Sequence, residues 1–101
     1  MDGAYKRLNA LIEIGADMII DSTLNKLIAL QIAKYQQGIK EITAELAKFE
    51  EKYGMSSEDF YRRFESGELG DEGDFVEWAG FCENTLLYKN RIKTLETALK
   101  E

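Results

Sequence analysis

The chain has 101 residues, of which 45% are hydrophobic and 32% charged, with no proline, no histidine, one cysteine and a net charge of −6. This length allows a single domain with a limited core, and the lone Cys82 excludes an intrachain disulfide. With no proline and a preponderance of Leu, Ile, Ala, Glu and Lys, the composition predicts an all-α chain.

Residues 1–21 form an N-terminal extension. Leu8, Leu11, Ile12, Gly15 or Ala16, and Ile19 recur at helical spacing. Met18-Ile19-Ile20 also fits a short strand, but a helix is the preferred reading, with a break near Gly15 or near Asp21-Ser22-Thr23. Asp21 and Ser22 are good N-cap residues for the helix expected next.

The spacing predicts a long helix over residues 22–53. Leu24, Ile28, Ile32, Tyr35, Ile39, Ile42, Leu46, Phe49 and Tyr53 follow one another by three or four residues. That 3.5-residue repeat belongs to helices packed lengthwise. Gly38 costs this helix about 1 kcal/mol relative to alanine, so its place there points to close approach by another helix. Gly54 suits the helix end.

A short helix is expected within residues 56–66. Ser56 is placed to cap the Asp59 amide, Glu58 and Asp59 suit the positive helix start, and Met55 and Phe60 occupy the two ends of a hydrophobic staple. Gly67 closes it. After the loop Glu68–Asp74, with Asp71 or Asp74 as cap, a second long helix is predicted over residues 74–100 on Phe75, Trp78, Phe81 or Cys82, Tyr88, Ile92, Leu95 and Leu99. The two long helices make an antiparallel hairpin with the short capped helix at its tip. Counting back from that tip puts Tyr53 near Trp78, Leu46 near Thr85, Ile39 near Ile92 and Ile32 near Leu99. A two-helix hairpin buries only one side of each helix. Leu8, Leu11, Ile12, Ile19, Leu27 and Leu30 are therefore candidates for homo-oligomerisation.

Charge is unevenly placed. Residues 1–40 carry five basic and four acidic side chains, a balance of +1, and residues 41–101 carry eight and fifteen, a balance of −7. From Ser66 to Glu83 there are six acidic residues and no Lys or Arg. An acidic surface repels phosphate backbones and favours a basic protein or a cation, so the C-terminal half is not expected to bind nucleic acid. Asp71, Glu72, Asp74 and Glu77 lack the order of an EF-hand loop. Capping and solvation account for them, and no metal or cofactor is expected. Arg62 and Arg63 are expected to pair locally with Glu58, Asp59 or Glu65.

The aromatic residues Phe60, Tyr61, Phe64, Phe75, Trp78 and Phe81 cluster near the tip. One reading is a mini-core that locks the short helix into the hairpin. The other gives Tyr61 and Trp78 an exposed edge in an interface. No catalytic signature is present: there is no glycine-rich phosphate loop after a strand and no nucleophile–base spacing, and Cys82 sits on an apolar stripe. The chain is expected not to be an enzyme. The lone cysteine and the lack of a secretory leader or a membrane-spanning run predict a cytoplasmic protein.

Phe49, the KYGMSSEDF run at Lys52–Phe60, Phe64, the GELGD run at Gly67–Asp71, and Asp74-Phe75 with Glu77-Trp78 carry a resemblance. From about Leu46 to Ile92 the chain resembles small helical prokaryotic proteins of toxin–antitoxin modules, encoded beside nuclease-like toxins. The resemblance implies an antitoxin that binds a basic toxin through an acidic, aromatic-rich tip. Glu68, Asp71, Glu72, Asp74 and Glu77 would steer the partner, and Tyr61 and Trp78 would anchor it. Two other classes stand beside this one. One is a homodimeric coiled-coil adaptor. The other is a DNA-binding regulator acting through Lys6, Arg7 and Lys26 of the N-terminal half.

Overall fold

The computed structural model describes residues 2–100, and among them every regular element is a helix. The order is α1 (Asp2–Glu13), α2 (Asp17–Tyr53), α3 (Ser57–Glu65) and α4 (Gly73–Lys100). α2 and α4 form the antiparallel hairpin. At the tip Tyr53 lies against Phe75, and towards the open end Tyr35 lies against Arg91. The molecule is a rod, 59 Å long and 23 by 20 Å across. No helix of the described residues is long and apolar enough to cross a membrane.

The break between the first two helices falls at Gly15, not at Asp21–Thr23. The Ala16 amide donates to the Leu11 carbonyl and the Gly15 amide to that of Ile12, both at 3.0 Å. These are the two bonds of a Schellman motif, which needs one left-handed residue, and Gly15 supplies it with φ of 79°. Asp21 and Ser22 consequently lie inside α2 and cap nothing. α2 begins five residues earlier than the periodicity alone indicates, with Ala16 as an N-cap that offers no side-chain bond. Met18, Ile19 and Ile20 are helical, not a strand.

The seam between α2 and α4 is set by Gly38. A Cβ there would come 2.8 Å from Cε2 of Tyr88, so the glycine lets the Tyr88 ring lie directly on the α2 backbone. Tyr88 also meets Tyr35, with ring centroids 5.2 Å apart. The count that put Ile39 beside Ile92 is off by about one helical turn, since Gly38 meets Tyr88 and Ile39 shares a groove with Leu86 and Lys89. α4 packs on Tyr53 from its first turn, through Phe75, which shifts all later pairs towards the tip. The first turns of α2 therefore run on past the end of α4. α1 packs only against α2 and has no buried residue.

Candidate functional site

The tip is organised by Trp78. This side chain and Phe60 are both fully buried, and their rings stack with centroids 3.9 Å apart and planes 4° from parallel. Phe49 and Tyr53 from α2 add two further stacked rings at 5.5 and 5.7 Å. The indole Nε1 donates to Ser57 Oγ at 2.9 Å, so the only polar atom of the ring is satisfied. Ala79 closes the cluster, and Met55, Phe64, Leu69 and Phe75 pack around it. This is the mini-core reading of the aromatic group. Trp78 thus has no exposed edge with which to anchor a partner, because α3 lies across it.

α3 is held at both ends. Ser56 Oγ accepts from the Asp59 amide at 3.1 Å, and Met55 and Phe60 both join the cluster as the staple requires. Glu50 of α2 accepts from the Ser57 amide at 2.8 Å. This second cap, supplied from another helix, has no local sequence signal. At the far end the Gly67 amide donates to the Phe64 carbonyl and the Glu68 amide to that of Arg63, a second Schellman motif. Arg62 and Arg63 both pair with Asp59.

The candidate acidic residues divide into two groups. Asp74 is half-buried and accepts from Tyr53 Oη at 2.6 Å and Lys52 Nζ at 2.7 Å. The hydrogen bonds from Lys52 and Tyr53 hold its carboxyl below the usual carboxylate range. The bond to Asp74 likewise raises the Tyr53 phenol and the Lys52 ammonium above their ordinary values. Asp74 is therefore a clamp between α4 and the end of α2, and it is neither a cap nor a free steering charge. The first bond of α4 is accepted by the Glu72 carbonyl from the Val76 amide. Glu68, Asp71, Glu72 and Glu77 form the second group. All four are exposed, and among the described residues none enters a side-chain hydrogen bond or ion pair. They make an acidic ridge along the loop and into the second turn of α4. Among the described residues no three carboxylates or thiols converge as metal ligands would.

Tyr61 is half-buried at the edge of the cluster and donates to Glu83 Oε1 at 3.3 Å. The Glu65 carboxylate beside it, partial burial and Glu83 push its phenol up to about 12. It borders a groove of about 520 Å³ between α2, α3 and α4, lined by the apolar Ile39, Leu46 and Leu86 and the charged Glu58, Arg62, Glu83 and Lys89. Cys82 opens on the same groove, but burial, Glu50 and Glu83 push its thiol up to about 11. It is therefore a poor nucleophile at neutral pH.

The candidate oligomerisation residues lie at the other end of the rod. Leu8 is half-buried, whereas Leu11, Ile12, Ile19, Leu27 and Leu30 are exposed. The sequence periodicity omitted two further residues of this region, Ile14 and Met18, which are 78% and 87% exposed. They flank Gly15, and their exposure follows from where the chain bends. Compared with known proteins, the chain matches no family, no curated protein and no solved structure.

Proposed function

We propose that this chain is a protein-binding module whose rigid tip presents an acidic ridge to a basic partner. The observation that carries this reading is the unpaired state of Glu68, Asp71, Glu72 and Glu77, in a stretch from Ser66 to Glu83 that holds no Lys or Arg. Asp59 and Asp74, by contrast, are spent on the fold: Asp59 on Arg62 and Arg63, and Asp74 on Lys52 and Tyr53. Four carboxylates fixed on a stacked aromatic support make a patterned negative surface, which steers a basic protein during encounter.

The resemblance of Leu46–Ile92 to toxin–antitoxin proteins narrows the partner to a small basic nuclease. The ridge would occupy the place of substrate phosphates and neutralise the enzyme stoichiometrically in the cytoplasm. Tyr61, at the mouth of the groove, supplies the apolar contact of this interface, and Trp78 supports it from beneath.

Native mass spectrometry of the protein purified gently from its host tests the reading. A bound small basic protein with nuclease activity is the expected result. With that complex in hand, the triple variant Glu68→Lys, Asp71→Lys, Glu77→Lys should associate at least about tenfold more slowly and with a weaker salt dependence. An association rate unchanged by the three reversals removes the ridge from the interface.

A further inference from the structure

We infer that the N-terminal elbow, α1 with the first turns of α2, is a surface for a second copy of this chain. The inference is independent of what the acidic tip binds. Among the described residues, nine of the thirteen large hydrophobic side chains left exposed lie in the first thirty positions: Tyr5, Leu11, Ile12, Ile14, Met18, Ile19, Leu24, Leu27 and Leu30. Ile19, Leu27 and Leu30 fall on the far side of α2 from the seam of Ile28, Ile32 and Tyr35, so α4 cannot cover them.

α1 itself shows that something else must cover them. It has twelve residues and none is buried, and an isolated helix of roughly that length is marginal in water. Among the described residues it packs against α2 alone, beside the Schellman bonds at Gly15. An elbow with exposed apolar side chains on both limbs is unstable as an isolated arm and stable as half of an interface.

Area and charge favour a second copy as the occupant. Spread around the two limbs, the nine large apolar side chains present on the order of 1,000 Å² in total, and a standard interface takes about 800 Å² from each partner, so it would draw on most of them. The first thirty residues carry three basic and four acidic side chains, a balance of −1, so two elbows meet with almost no net repulsion. A basic partner steered by the −7 of residues 41–101 would have no such preference for this end. The acidic tip lies at the opposite end of a rod 59 Å long, many times the Debye length of about 8 Å at physiological salt. Two copies joined elbow to elbow therefore keep their tips apart and both free.

Analytical ultracentrifugation of the full chain tests this. The wild type should sediment as a dimer at micromolar concentration. The double variant Met18→Lys, Ile19→Lys should raise the dimer dissociation constant at least a hundredfold, while the far-UV circular dichroism loses no more than the share of the twelve residues of α1. Both side chains are largely exposed, so the change removes no buried contact from the single chain. The control Leu86→Lys, Leu87→Lys changes exposed apolar residues of α4 and should leave the dimer intact. A monomeric wild type overturns the inference. So does a dimer that survives the elbow variant, or one that the α4 variant dissociates.

Discussion

Phe60 and Trp78 stack face to face at 3.9 Å, and they are the two fully buried large side chains of the core that Ala79 completes. One residue comes from α3 and the other from α4, so the pair is what fastens the short helix to the hairpin. Truncation leaves a ring-sized cavity, and such changes cost about 3–5 kcal/mol out of a total of ~5–15 kcal/mol for a domain. Phe60→Ala should lower the urea midpoint accordingly. Because Trp78 is the only tryptophan, its fluorescence reads the docking of α3 directly and should shift to the red in that variant even where the far-UV signal stays helical.

Asp74 gives the tip a pH dependence with a definite sign. Its folded pKa is depressed by Lys52 and Tyr53, so its contribution is present above its unfolded pKa of about 4 and is lost as pH falls through the lower folded value. Tyr53 and Lys52 are raised, so their contribution is present below about 10 and is lost as pH rises through the raised values. The stability difference between wild type and Asp74→Asn should be flat across neutral pH and shrink towards both extremes. Urea titrations at acid, neutral and alkaline pH measure it. A difference that grows on acidification would contradict the clamp.

How far the fold was legible depended on how far apart the interacting residues are. Ser56 with Asp59, Met55 with Phe60, and the glycines at Gly54 and Gly67 act within a few residues of one another, and they read correctly from the sequence. Asp74 did not, because its partners Lys52 and Tyr53 are 22 and 21 residues away, and its position suggested a helix cap. The mini-core was one of two readings of the aromatic group. Giving Trp78 an exposed edge failed because periodicity does not show what α3 will lie across. The bend at Gly15 was one of two candidate sites, and only the left-handed geometry of the Schellman motif separates it from Asp21–Thr23. The acidic ridge was visible as composition, whereas the unpaired state of its four free members required the structure.

Gly38 and Tyr88 should be strongly coupled. Gly→Ala inside an exposed helix ordinarily gains about 1 kcal/mol. Here the new methyl meets the Tyr88 ring at 2.8 Å, and the ring is held against Tyr35. Gly38→Ala should therefore be neutral to destabilising in the wild type. In a Tyr88→Ala background it should recover the ordinary gain of about 1 kcal/mol. A double-mutant cycle by chemical denaturation measures the difference. Simple additivity would show that the seam does not depend on this close approach.

Gly15→Ala tests the elbow without touching the core. Alanine in a left-handed conformation costs about 1–2 kcal/mol, and Gly15 sits at φ of 79°. The penalty falls on α1, which has no buried residue, so global unfolding cannot register more than the free energy with which α1 is docked. The urea midpoint should change little. Hydrogen exchange should instead show lost amide protection in α1 and around Ile20, with α2 beyond Leu30, α3 and α4 unaffected. The chain also gains the option of running α1 straight into α2. That would remove the bend between the limb that carries Leu11 and Ile12 and the limb that carries Met18 and Ile19, and so change the shape of the surface they form. Dimer dissociation should therefore increase in parallel with the lost protection. If protection falls while the dimer stays as tight as before, α2 alone carries the self-association and the bend at Gly15 serves another purpose.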